Sequence, residues 1–207
     1  MSRVKSWRWA FFIGGLIVMS LGISMSIKGR ILGTSPWDVL HIGLFKNFGL
    51  TIGTWSILTG LFIVVTTSII LREMPKIGTW LNMLLIGLFI DIFNWLLPTT
   101  TNYGLQVTYF IVGLFVLSFG CGMYIAPNMG AGPRDTLMML IVEHFGGTIK
   151  TARMGMEILV TVVGWLLGGP VGVGTIIIAL LSGYIVQYSL PYCRKVLIKH
   201  TGPIEGI

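Results

Sequence analysis

The chain has 207 residues, 54% hydrophobic and only 10% charged, with a mean hydropathy of +0.87 and a formal net charge of +7. A soluble domain carries roughly 25% charged residues, so this composition excludes a water-solvated globule and describes a chain solvated by lipid. Its Lys and Arg stand at the ends of apolar segments rather than along one face or in a tail, which excludes a nucleic-acid surface and makes them signals of membrane topology.

Taken in chain order, Arg3, Lys5 and Arg8 precede a first apolar run at 9–27. The charge pattern resembles a signal peptide, but there is no A-x-A-like cleavage site and the run is too long for an h-region, so a retained first helix is expected. A break rich in Gly and Pro follows, in GTSPWDVL, and then a short helix at about 36–47. Long apolar stretches at 52–71, 80–97 and 105–126 come next, then a second break, GAGPRDTL, with a short helix at about 133–145. The stretches 150–167 and 174–190 complete the series. About 20 apolar residues at 1.5 Å rise cross a bilayer, and most of the long stretches meet that length.

The two breaks repeat one another. Gly33, Pro36, Asp38 and Leu40 return as Gly130, Pro133, Asp135 and Leu137, a shift of 97, and nine of the 22 positions 33–54 are identical at that shift. At a shift of 96, Gly78, Thr79, Leu84, Leu85 and Gly87 match Gly174, Thr175, Leu180, Leu181 and Gly183; at 98, Ser20, Gly22, Met25 and Ile27 match Ser118, Gly120, Met123 and Ile125. One membrane domain spanning 1–207 is expected, with repeat 1 at about 8–98, repeat 2 at about 104–193 and a cytoplasmic tail at 194–207.

Each short helix, at about 12 residues, is some 18 Å long against a hydrocarbon core of roughly 30 Å, which favours a re-entrant segment. Each repeat then crosses three times, and an odd number of crossings turns the second repeat upside down. Charge counting agrees. With the N-terminus inside, eleven Lys and Arg fall on the cytoplasmic side and three outside (Lys28, Arg30, Lys46); four crossings per repeat would give nine against five. The expected fold class is all-α: a polytopic helical membrane protein of two inverted repeats, each with about three transmembrane helices and one short re-entrant helix. The expected location is the cell (inner) membrane, multi-pass, with both termini cytoplasmic.

Chemistry concentrates at the breaks. Ser35 stands at an N-cap, Pro36 at the first helical position and Asp38 at the third, a pattern that fixes a helix start; Gly132, Pro133 and Asp135 take the same places in the second copy. Non-helical backbone at membrane depth is tolerated only where protein buries it or a water-filled cavity adjoins it, since each unpaired N–H or C=O in lipid costs several kcal/mol. The free N–H groups and positive dipole ends of two such helices suit an anion or a carbonyl oxygen. Asp38 and Asp135 either cap their helices alone or also line a small-solute site where 33–38 and 130–135 meet, with Gly33 and Gly130 shaping the break backbone.

Arg134 replaces Trp37 of the first copy; it binds a carboxylate or phosphate-like group, pairs with Asp135 or Glu157, or faces headgroups. Arg153 and Glu157 lie four apart on one helix face and form an ion pair along it, with Glu157 about 12 Å in from Ile149. Ionisable residues at such depth face the protein interior and mark ion paths or lock helices together. Asp91 and its counterpart Gln187 are polar in both copies, which places them on a cavity wall or in an interhelical hydrogen bond. His41 is expected as a packed polar residue. Cys121 and Cys193 lack C-x-x-C spacing, and there is no H-E-x-x-H, G-x-S-x-G or P-loop, so no metal, no cofactor and no enzymatic role are expected.

The strings LGTSPWDVLHIGL, GAGPRDTLM, Arg153 to Glu157 and GGPVGVGT resemble the YczE branch of the YczE/YyaS/YitT family of bacterial integral membrane proteins, over about 15–193. The resemblance implies a multi-pass bacterial inner-membrane protein, in a family some members of which look connected with antibiotic or lipopeptide production. Where the family often carries Gly-Pro this chain has Gly183-Tyr184, so no helix break carries over there. The expected function is a transporter or channel for a small polar or anionic solute, with lipid as its surroundings, no nucleic-acid partner and a homo-oligomer left open. The alternative is a non-transporting scaffold or regulator of a partner, for example a secondary-metabolite biosynthesis system.

Overall fold

The computed structural model describes residues 2–130 and 132–202, and among these all regular structure is helical. Eight α-helices run in order: α1 (Ser2–Lys28), α2 (Pro36–Phe48), α3 (Ile52–Leu71), α4 (Ile77–Leu96), α5 (Tyr103–Ile125), α6 (Pro133–Phe145), α7 (Ile149–Leu166) and α8 (Val173–Thr201). A single 3-10 turn at Arg30–Leu32, which the sequence did not announce, leads from α1 into the first break. Five helices, α1, α3, α4, α5 and α8, are long and apolar enough to cross a membrane. α7, at 18 residues, carries Lys150, Arg153 and Glu157 in its first half and falls outside that group. α2 and α6 have 13 residues each, about 20 Å of helix. The charged stretch from Arg194, expected as a tail, continues α8 as helix to Thr201; 203–207 lie outside the described residues.

α1 and α5 form the most extensive helix pair. Lipid tails are as apolar as Leu, so helices in a bilayer associate through close packing at small residues. Here Gly15, Gly22 and Gly29 recur every seventh residue and lie against Tyr124, Leu117 and Phe110, while Gly113 and Gly120 of α5 lie against Gly22 and Met19. The pairing falls along α5 as it rises along α1, so the two helices run antiparallel. Phe12, Leu16, Ile23, Ile42, Ile90, Leu117 and Tyr124 fill the space around them. Arg8 ties the start of α1 to the end of α5 by donating to the Pro127 carbonyl at 2.9 and 3.2 Å. Large apolar side chains such as Phe62 and Leu166 point away from the protein, as a lipid-facing surface requires.

The short helices cross between the units, whereas the long helices also pair within each unit. α2 packs on α7 and α6 on α3, while α4 packs on α1 and α8 on α5. Lys46 and Asn47 at the end of α2 cap the end of α7, donating to the Gly168 and Leu167 carbonyls at 2.6 and 2.7 Å. The two breaks occupy opposite ends of the α1–α5 pair. Gly33 abuts Gly172 and Thr175 at the start of α8, and Gly130 abuts Thr79 and Lys76 at the start of α4.

Candidate functional site

At the first break Gly33 adopts a positive φ of 99°, which turns the chain into α2. Ser35 then caps the helix: its Oγ accepts from the Asp38 amide at 3.3 Å and donates to Asp38 Oδ2 at 2.6 Å. Asp38 is 1% exposed and His41 0%. The Thr59 hydroxyl donates to the Trp55 carbonyl at 2.8 Å, so it accepts from His41 Nε2 at 3.0 Å, and that pairing assigns the ring tautomer. His41 Nδ1 is left without a hydrogen-bond partner, 3.8 Å from Asp38 Oδ1. Ser35, Asp38, His41 and Thr59 thus form one polar row along α2 and α3, with Asp38 and His41 buried and Ser35 and Thr59 half-buried.

The second break is built differently. Gly132 stands where Ser35 does, so α6 starts with no side-chain cap, and Asp135 Oδ2 accepts instead from the Tyr124 hydroxyl at 3.3 Å. Arg134 lies with its guanidinium carbon 4.5 Å from the Trp37 ring centroid, a cation–π contact. Trp37 and Arg134 hold corresponding positions, so the starts of the two short helices touch. Among the described residues no carboxylate lies within 4.0 Å of Arg134, whereas Arg153 pairs with Glu157 at 3.0 Å.

Between these starts is a cavity of about 220 Å³. Ser35, Pro36, Gly132, Pro133, Arg134, Asp135, Arg153 and Glu157 all line it. Asp38 sits behind Ser35, and Gly33 and Gly130 shape the breaks from outside the cavity. Asp91 and Gln187 stand elsewhere: Asp91 accepts from the Gly53 amide at 2.8 Å and from the Thr51 hydroxyl, at the start of α3, and Gln187 is exposed. The Asp91 position therefore serves a helix start rather than the cavity wall.

Sequence reasoning missed Trp37, Tyr124 and Asn82 as lining residues. Trp37 was findable as the counterpart of Arg134, and Asn82 as a lone amide in an apolar helix; nothing in the sequence singles out Tyr124. Asn82 is 4% exposed and its Nδ2 has no hydrogen-bond partner, an unmet donor in the wall. A buried donor left unpaired costs about 1–3 kcal/mol.

The family described as "Family of unknown function (DUF6198)" matches residues 6–191, and the chain belongs to it. Among similar proteins, the "Uncharacterized membrane protein YczE" of Bacillus subtilis (strain 168) is 47% identical over 190 residues, 92% of this chain and 88% of that one. An "Uncharacterized protein" of Haemophilus influenzae is 34% identical over 175 residues, 84% and 79% of the two chains. The "Uncharacterized protein YyaS" of Bacillus subtilis is 28% identical over 191 residues, 91% and 94%. No solved structure matches the chain.

Proposed function

We propose that this membrane protein of the DUF6198 family moves a small polar or anionic solute across the bilayer, through a site between two inverted repeats. Its role is binding and passage, without covalent chemistry. The observation that carries the proposal is the cavity at the meeting of the two helix starts, where Arg134 has no carboxylate within 4.0 Å, though Asp135 and Glu157 line the same cavity, and Asn82 offers an unmet donor. Removing a guanidinium from water is costly unless something answers its charge. An anion in the cavity does so, and the cation–π contact with Trp37 holds the guanidinium in place meanwhile.

The inverted arrangement is supported by the antiparallel packing of α1 with its counterpart α5, and by the reciprocal seating of α2 on α7 and α6 on α3. The short helices enter as half-membrane segments from opposite sides, at about 20 Å each. Their breaks close on the other repeat at opposite ends of the molecule, Gly33 on Thr175 and Gly130 on Thr79. Rocking one repeat against the other opens one of these contacts while the other holds, which is alternating access around a fixed site. The excess of Lys and Arg on one side supports a cytoplasmic position for both termini, Arg72 and Lys76.

The test is thermal unfolding of the purified protein in nanodiscs of neutral lipid, with acetate, inorganic phosphate and succinate in turn. At least one raises the unfolding temperature of the parent protein, and Arg134→Ala or Glu157→Ala removes that rise. The proposal fails if no small anion stabilises the protein while a partner protein co-purifies in fixed ratio, the behaviour of a scaffold.

A further inference from the structure

Corresponding helix pairs in the two units are closed to different degrees. In the first, α3 and α4 press together: a Cβ on Gly87 would strike Ile57 and the Gly53 carbonyl, and one on Gly60 would meet Met83 Cγ at 2.7 Å. The counterparts of Ile57, Gly60, Met83 and Gly87 are Met154, Glu157, Ala179 and Gly183. These do not close. α7 and α8 share no extensive packing among the described residues, a Cβ on Gly183 meets nothing within 4 Å, and Met154 is 52% exposed. A charged side chain, Glu157, occupies the place where the first unit has none, and Ala179 is too short to bridge the gap as Met83 does.

The cavity is walled on both sides of this open seam, by Arg153, Met156 and Glu157 from α7 and by Ala179, Ser182 and Val186 from α8. Resting on the solute site proposed above, we infer that the site opens sideways into the hydrocarbon between α7 and α8 and takes a single-chain amphiphile with an anionic head, such as a fatty carboxylate. The head lies at Arg134 and the Asn82 amide; the tail leaves past Met156, Ala179 and Val186.

Size and polarity together select this occupant. At about 220 Å³ the cavity is smaller than the roughly 300–1,000 Å³ of sites that enclose a drug-sized ligand, so it holds a head and the first part of a chain, with the rest outside. A lipid tail alone leaves Arg134 and the Asn82 donor facing hydrocarbon, and a small anion alone leaves the apolar seam unfilled. An anionic amphiphile answers both with one molecule.

The experiment compares decanoate, decanol and acetate as stabilisers of the protein in neutral-lipid nanodiscs. Decanoate is expected to act at about tenfold lower concentration than acetate, because methylenes of its chain are buried in the seam. Decanol does not stabilise. Arg134→Gln removes the effect of both acids, whereas Gly183→Leu, which fills the seam, removes only the advantage of decanoate. If acetate equals decanoate and Gly183→Leu changes neither, the small-anion site stands and the sideways opening falls. If neither acid stabilises the protein, both fall. Decanol matching decanoate overturns the anionic head, and disulfide-linked dimers of Gly183→Cys in native membranes, above the parent level, show a second copy on the seam and overturn the amphiphile.

Discussion

Replacing Gly22 by Ala tests the idea that α1 and α5 are held by backbone-to-backbone approach. The new Cβ would lie 2.6 Å from Leu117 Cα and 2.8 Å from the Gly113 carbonyl oxygen, where ordinary contact begins at 3.4 Å. These obstacles and the still closer Leu117 amide nitrogen are all backbone, so no rotamer change relieves them, and the helices must part by roughly 1 Å. A gap of that size forfeits about a quarter to a half of each contact of ~0.1–0.2 kcal/mol. Over a few tens of atom pairs along the interface the loss is about 1–3 kcal/mol, the range for overpacked cores. For a chain of this length that lowers the unfolding temperature by about 5 °C. Circular dichroism in detergent micelles reads the shift, and Gly183→Ala is the control, because its Cβ meets nothing within 4 Å and costs nothing sterically. Equal melting of Gly22→Ala and the parent, or an equal loss in Gly183→Ala, refutes the close-approach account.

Three further outcomes follow from local contacts. Asp91→Asn removes the charge that meets the Gly53 amide and the Thr51 hydroxyl at the positive end of α3, and lowers stability by about 1 kcal/mol in the same melt. Thr148→Val abolishes the reciprocal cap in which Thr148 and Thr151 each bond the other's backbone at 3.2 and 3.0 Å, at a cost of about 1 kcal/mol, read as faster hydrogen exchange in the first turn of α7. Cysteines placed at Lys46 and at Lys150 react with a membrane-impermeant maleimide from opposite sides of the membrane; labelling of both from one side removes the inverted arrangement.

The helix starts were legible because their signals are local. Ser35, Pro36 and Asp38 place a cap within three residues of the backbone it serves, and Pro133 with Asp135 marks the second helix start without a side-chain cap. The meeting of Arg153 and Glu157 was legible for the same reason, being one helical turn apart. Asp91 was not, because its partner amide is 38 residues away and only the packing of α3 on α4 brings them together. Nor was the meeting of Trp37 with Arg134: the shift shows that they correspond, but correspondence does not say that they touch. The length of α8 was hidden by the charges at Arg194, Lys195 and Lys199, which mark where lipid ends rather than where the helix does.

The Trp37–Arg134 stack bears on how the two halves became unequal. Assembly from two identical polypeptides would set like against like at this spot, either two guanidinium groups repelling one another or two indoles with no cation to hold. Linking the halves in one chain frees each position to mutate alone, so an aromatic face and a positive charge become partners that neither half supplies for itself. Exchanging them, with Trp37→Arg and Arg134→Trp together, keeps the stack while moving the cation from the start of α6 to the start of α2. The inequality of the two halves is thereby written in a single residue pair.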